Sequence, residues 1–226
     1  MKMFKNLLSF WRGKDFLAQV FDEFKEMLDD TRLMYEMVCS VLLDNVEKPD
    51  LKKKIYEIDN KVNNLEKKIR TRIIEHLSLQ PTVDVNACLL LMSVVKDAER
   101  LGDYCKNLYE VTEFVEKPMN RELFSQYFNG LDKEILGLFE RTKDAFIEAD
   151  EHKAEASWDF EHRIAIQCDH ILREIVKSNL SVNEAVCLAL IARHFKRIVA
   201  HLTNIATSVI LPLSELDYFD EKRAND

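Results

Sequence analysis

The chain contains few residues that interrupt helices, with four glycines and four prolines among 226 residues. Its five cysteines are an odd number and include no Cys-x-x-Cys pair, so we expect neither a zinc site nor a disulfide framework. We predict reduced, partly buried thiols in a cytoplasmic protein. The 40 acids outnumber the 32 lysines and arginines, and a net charge of −8 gives no sign of the basic stripe that a nucleic-acid partner requires.

Apolar residues recur at intervals of three and four along most of the chain, which is the pattern of amphipathic helices. No period-two run of β-branched residues indicates a strand. Prolines at positions 49, 81 and 118 separate the helical patterns of the first half. We predict an all-α fold with six long helices, at about 16–45, 50–77, 83–114, 118–149 with a possible break at 129–130, 155–177 and 182–210.

One motif occurs twice in the chain. Residues 99–108 read ERLGDYCKNL, and residues 196–205 read KRIVAHLTNI. The helices before the two motifs also match, with apolar residues at equal spacings. The matched pairs are Val62 with Ile164, Ile69 with Ile171 and Ile73 with Ile175. We predict two tandem three-helix bundles, at 15–117 and 118–213, with an N-terminal arm at 1–14 and a C-terminal tail at 214–226.

Oxygen-bearing side chains converge in the first copy of the motif. Glu99 and Asp103 share one helix face, where they repel each other unless a cation or basic partner lies between them. Asp59 and Asn63 offer a matching face on the preceding helix, and such ligands suit a hard or borderline cation. The alternative is chance, because a chain with 40 acids places many pairs at this spacing. No Glu-x-x-His spacing occurs, so an oxygen-activating di-iron enzyme is not expected.

The second copy has lost these carboxylates. Glu161, Ala165, Lys196 and Ala200 occupy the corresponding positions, and this set does not hold a metal ion. We expect the ammonium of Lys196 to lie where a cation would sit and to pair with Glu161 or Asp159. The alternative is a solvated lysine on an acidic protein.

The N-terminal arm carries apolar and aromatic residues between positions 4 and 11. This stretch is too short to span a bilayer and lacks a small-residue cleavage site. Two uses remain open, a weak contact with a membrane surface and docking of the arm on its own bundle.

With these residues in view, the chain resembles the PhoU family of bacterial phosphate-uptake regulators. The family motif reads Glu-Arg-Ile-Gly-Asp-His-x-x-Asn-Ile, which residues 99–103 match closely, although Tyr104 stands at the histidine. Residues 59–66 match the preceding Asp-x-x-Ile-Asp-x-Leu-Glu, with Asn63 in place of the second aspartate. In the second copy, residues 201–205 keep His-x-x-Asn-Ile.

The resemblance spans about residues 15–211 and implies two stacked three-helix bundles that form a homodimer. It implies a metal ion, divalent or iron-type, at the first copy only, with Asp59, Asn63, Glu99 and Asp103 as ligands. It also implies a non-enzymatic cytoplasmic adaptor that contacts a membrane phosphate transporter and a two-component sensor kinase. Such contacts are compatible with a peripheral location at the inner membrane face. Alternatives from other classes are a carboxylate metalloprotein, for metal storage or catalysis, and a metal-free structural scaffold.

Overall fold

A computed structural model of the protein describes residues 15–44, 50–116 and 120–216. These residues form seven α-helices and no strand, which confirms the predicted all-α class. The helices are α1 (Asp15–Asp44), α2 (Leu51–Leu79), α3 (Val85–Phe114), α4 (Arg121–Phe128), α5 (Leu131–Glu148), α6 (Glu151–Lys177) and α7 (Val182–Thr207), followed by a short 3-10 turn, Leu213–Glu215. The predicted N-terminal arm at 1–14, with its candidate membrane contact at 4–11, lies outside the described residues, as does the tail from residue 217.

The predicted fourth helix is divided into α4 and α5. Asn129 and Gly130 adopt left-handed backbone angles, with φ of 44° and 80°, which end α4 and begin α5. Asparagine and glycine tolerate this conformation better than other residues. The possible break predicted at this dipeptide is therefore confirmed, and the six expected helices become seven.

Capping side chains set two helix starts in the second half. Helix α6 begins at Glu151, four residues before the predicted start, because the Asp150 carboxylate accepts hydrogen bonds from two first-turn backbone N–H groups. Helix α7 begins at Val182, as predicted, where Ser181 and Glu184 form a reciprocal capping box. The periodic apolar pattern alone does not locate the earlier cap.

The helices pack as two three-helix bundles that face each other. Helices α1, α2 and α3 contact one another, and α5, α6 and α7 do the same. Across the bundles, α3 packs on α7 and α1 on α5. Both cross-bundle pairs are antiparallel. Between α3 and α7, Asp97 near the middle of α3 meets Asn204, and Glu116 just after α3 meets Asn183. Between α1 and α5, Asp29 pairs with Lys143 and Arg32 with Glu140. The predicted internal repeat therefore appears as an approximate two-fold arrangement.

The apolar faces of α2 and α6 pack into the cores of the two bundles. We call the contact of α2 with α3 the seam of the first bundle, and that of α6 with α7 the seam of the second. All three matched pairs of the repeat are buried. In α3, the apolar spacing predicts that Leu89 points inward, but Leu89 is 46% exposed. The helix buries the residues on either side of it, Cys88 and Leu90, so Leu89 lies on the opposite face. None of the described helices is long and apolar enough to cross a membrane.

All five cysteines are free and buried, more deeply than the partial burial expected from the sequence. Burial raises the pKa of the Cys105 thiol well above its usual range and that of Cys168 to about 12. Both thiols are therefore protonated near neutral pH and are poor nucleophiles.

Gly102 lies where three helices approach closely, as its position in the α3 interior suggests. A Cβ atom at this position would lie 3.6 Å from Val62 and 3.8 Å from Asp59 and Thr31, which is ordinary van der Waals contact.

Gly102→Ala is therefore expected to raise the free energy of unfolding by up to about 1 kcal/mol, through helix propensity. Gly102→Leu is expected to lower it by about 1–3 kcal/mol through overpacking. Denaturant unfolding measures both, and a destabilised alanine variant would contradict this packing.

Candidate functional site

The predicted site residues lie on α2 and α3, at the level of Gly102. Asp59 projects from α2 with its side chain 8% exposed, and Glu99 and Asp103 project from α3. Close approach of the helices at Gly102 brings Asp59 near the α3 backbone. The structure therefore brings three of the four predicted residues together, and the fourth, Asn63, is half-buried one turn after Asp59.

Lys106 lies between the carboxylates of the two helices. Its ammonium donates hydrogen bonds to Asp59 Oδ2 at 2.9 Å and to Asp103 Oδ1 at 3.1 Å. Without such a partner, the buried carboxylate of Asp59 would be costly, because burial removes its hydration. Lys106 therefore compensates the buried negative charge of the site.

The other oxygen of Asp103 is also paired. Arg100 Nη1 donates to Asp103 Oδ2 at 2.9 Å, and Arg100 Nε lies 3.7 Å from Glu99. Burial, and then the nearby Asp103 charge, raise the pKa of Glu99 above its usual value, even though the Arg100 charge opposes this rise. Glu99 is thus the least compensated acid of the cluster.

The oxygen ligands predicted here do not fit a resident metal ion as they stand, because basic side chains of the chain already pair with them. Lys106 holds one oxygen from each of Asp59 and Asp103, and Arg100 holds the second oxygen of Asp103. Over the described ranges, no group of three or more His, Cys, Asp or Glu side chains is arranged to hold a metal ion. The metal ligands Asp59, Asn63, Glu99 and Asp103 therefore stay a prediction.

The sequence interpretation overlooked Lys106, although a signal for it exists. Lys106 follows Asp103 by three residues, a spacing that places the two side chains on the same helix face. Its contact with Asp59, by contrast, depends on the register of α2 against α3. A helix-face analysis that included basic residues would have found the first contact but not the second.

In the second bundle, Lys196 pairs across α6 and α7 with Asp169 at a distance of 2.8 Å. The predicted partners were Glu161 and Asp159, which lie further toward the α6 N-terminus. Asp169 lies about two helical turns after Glu161, so the lysine side chain reaches an acid outside the matched positions of the two motifs. Both bundles thus carry a lysine ion pair between corresponding helices.

A second polar cluster joins the two bundles where α3 meets α7. The buried Asp97 carboxylate accepts a hydrogen bond from Asn204 Nδ2 at 3.0 Å and lies 2.7 Å from His201 Nδ1. With a carboxylate oxygen as the acceptor, this contact assigns the ring hydrogen of His201 to Nδ1. The His-x-x-Asn of the second motif therefore binds an acid of the first repeat.

Aromatic contacts extend this cluster. Tyr104 stacks on His201 with ring centroids 5.5 Å apart, and His194 lies 6.0 Å from the same tyrosine. Tyr104 and His201 occupy the same position in the two motifs, so their contact marks the approximate two-fold axis. Burial, and then the Arg193 charge, lower the pKa of His194, which favours its neutral form near neutral pH.

Glu99→Gln is expected to stabilise the protein near neutral pH. The folded-state pKa of Glu99 is raised, so the unfolded chain releases this proton at lower pH than the folded chain does. Stability is therefore lost as pH rises from the unfolded pKa through the folded one. Glutamine removes that loss, and the gain should disappear in acid, where Glu99 is protonated in both states. Melting across pH tests this, with the exposed Glu75→Gln as control. An equal gain at every pH would contradict the assignment.

The sequence matches the family model of the PhoU domain twice, over residues 24–112 and 130–209. One match lies in each bundle, and together they cover most of the chain. The predicted bundle boundaries at 117 and 118 fall between the two matches and stay a prediction.

Similar proteins support the same assignment. A phosphate-specific transport system accessory protein PhoU homolog of Synechocystis is 26% identical over 168 residues, which is 69% of this chain and 71% of that protein. PhoU homolog 1 of Thermotoga maritima is 27% identical over 104 residues, and this match spans only 44% of each chain. The crystal structure of PhoU from Pseudomonas aeruginosa has a TM-score of 0.75 at 21% identity, over 86% of this chain and 95% of that chain, which confirms the fold.

Proposed function

Since the chain belongs to the PhoU family, we propose that it regulates phosphate uptake and phosphate-responsive signalling. The observation that carries this proposal is the family match in both bundles. The names of its relatives in Synechocystis and Thermotoga maritima, which are phosphate-specific transport system accessory proteins, support it. Neither the family match nor the names of the relatives depends on whether the candidate ligands bind a metal ion.

The proposed mechanism is protein binding without catalysis. The chain would contact a membrane phosphate transporter and a two-component sensor kinase from the cytoplasmic side. Two sets of contacts between the bundles suit a protein that presents a rigid binding surface. Partly buried hydrogen bonds from His201 and Asn204 to Asp97 join the two bundles. Ion pairs also join α1 to α5, through Arg32 with Glu140 and Lys143 with Asp29. Such cross-bundle contacts favour a rigid surface over two independently moving halves.

We also propose that the chain is a homodimer, as the resemblance implies. Sedimentation equilibrium at micromolar concentration measures the mass directly. Twice the chain mass of 26.5 kDa is the expected result, and a single-chain mass at every concentration would exclude the dimer.

The binding mechanism is tested with purified components. The phosphate transporter of the same organism, held in lipid nanodiscs, and the cytoplasmic part of its phosphate-sensing kinase are each titrated with the chain. We expect saturable binding to at least one of them, with a dissociation constant in the micromolar range or below, which is typical of transient signalling contacts. Absence of binding to both, with empty nanodiscs as the baseline, would favour the metal-free scaffold.

A further inference from the structure

The acidic cluster of the first bundle already holds a cation, and that cation belongs to the chain. The Lys106 ammonium lies 2.9 Å from Asp59 and 3.1 Å from Asp103. It therefore joins α2 to α3 through two charge-assisted hydrogen bonds, which are stronger than neutral ones. The side chain is only 20% exposed, so it is held within the seam rather than extended into solvent.

A metal ion and this ammonium are alternatives at the site. An ion bound between the same two oxygens would lie within a few ångströms of the ammonium, where like charges repel strongly away from bulk water. The second oxygen of Asp103 is held by Arg100 at 2.9 Å. Asn63 stands where the family motif has an acid, so the ligand set carries less negative charge with which to attract a divalent ion.

We propose that Lys106 is the resident cation of the first bundle and excludes a metal ion from it. Its ammonium closes the seam between α2 and α3, so this bundle folds without metal. The proposal is independent of the proposed function, because a metal-free chain can still bind a transporter or a kinase. It is opposed to the sequence-based prediction of a metal ion at Asp59, Asn63, Glu99 and Asp103.

The second bundle provides an internal comparison. There, Lys196 pairs with Asp169 across α6 and α7, and Ala165 and Ala200 replace two of the four candidate ligand positions. Removing Lys196 would therefore expose no pair of facing carboxylates. Removing Lys106 would expose two, from Asp59 and Asp103.

The test compares the wild-type chain with Lys106→Met, each purified in chelator and then titrated with Mn²⁺. The melting temperature of the wild-type chain should not respond to chelator or to Mn²⁺. Lys106→Met keeps most of the side-chain bulk without the charge and should melt at a lower temperature in chelator. Mn²⁺ should then raise its melting temperature by about 5–10 °C at a hundredfold excess over the dissociation constant.

Two variants serve as matched controls. Lys196→Met removes a lysine at the equivalent seam and should gain no response to Mn²⁺. Lys106→Arg keeps the positive charge and should also remain indifferent to Mn²⁺. A response in Lys196→Met equal to that of Lys106→Met would mean that loss of any seam lysine causes it, which would overturn the proposal.

The remaining outcomes decide the proposal as well. Stoichiometric Mn²⁺ binding by the wild-type chain, or a loss of its stability in chelator, would overturn it. A folded Lys106→Met chain that does not respond to Mn²⁺ would also overturn it. If Lys106→Met is unfolded in chelator, recovery of its helical circular dichroism on adding Mn²⁺ supports the proposal, and failure to recover contradicts it.

Discussion

Phe195→Ala is expected to lower the free energy of unfolding by about 3–5 kcal/mol, which is the usual cost of removing a fully buried phenylalanine ring. Phe195, on α7, is fully buried. Its ring lies 6.0 Å from that of Tyr35 on α1 and 5.5 Å from that of Phe128 on α4. The substitution would therefore leave a cavity at the contact between helices from both halves of the chain, where relaxation of one helix cannot fill it.

Chemical denaturation, followed by circular dichroism, measures this loss. The matched control is Phe114→Ala, because the Phe114 side chain is 58% exposed and its loss should change stability by less than about 0.5 kcal/mol. Equal losses in the two variants would show that Phe195 does not occupy a shared core.

Asp97→Ala is expected to lower the free energy of unfolding by about 1–3 kcal/mol, because it leaves half-buried polar groups without their acceptor. The carboxylate receives hydrogen bonds from His201 and Asn204, which belong to the other repeat. The substitution removes every hydrogen bond of this cluster that crosses between the two bundles at this point of α3. Its effect should therefore exceed that of an average surface acid.

Asp97→Asn separates hydrogen bonding from packing. Its amide oxygen still accepts a hydrogen bond, so the loss should be smaller than in Asp97→Ala. Asp22→Ala is the surface control, since the Asp22 side chain is 75% exposed and pairs with the neighbouring Lys25. If Asp97→Ala and Asp22→Ala are equally stable by denaturant unfolding, the cluster does not hold the bundles together.

Most of the fold is predictable because it depends on the spacing of apolar residues and on the internal repeat. Apolar spacing locates the six long helical patterns, and Asn129-Gly130 correctly indicates the break that makes them seven. Equal spacings of valine and isoleucine in the two halves identify two copies of one bundle, and the corresponding side chains are buried. Helix starts are less predictable, because a single capping carboxylate such as that of Asp150 moves α6 by a full turn.

The candidate site is predictable only in part. Sequence spacing correctly places Glu99 and Asp103 on one helix face and Asp59 opposite them. It does not show which cation satisfies these acids, because the choice depends on how far the Lys106 side chain reaches across the seam. For the same reason, the sequence does not show that Lys196 pairs with Asp169.

The contacts of Asp97 with His201 and Asn204 between the bundles are not predictable from the sequence, for a different reason. The His-x-x-Asn pattern at 201–204 is visible in the sequence, and the resemblance associates it with the repeated motif. Its partner Asp97 follows Lys96 and precedes Glu99 in a charged stretch of α3, so it carries no signal of its own. Only the antiparallel packing of α3 on α7 brings the two together.

The most direct test of the central claim, that this chain regulates phosphate uptake and signalling, is made in cells of its own organism. Uptake of radiolabelled phosphate and a phosphate-starvation reporter are measured in a deletion strain, in phosphate-rich and phosphate-poor medium, with and without the wild-type gene restored. We expect the deletion to alter both readings in phosphate-rich medium and the restored gene to correct them. Unchanged uptake and an unchanged reporter in both media would contradict the claim.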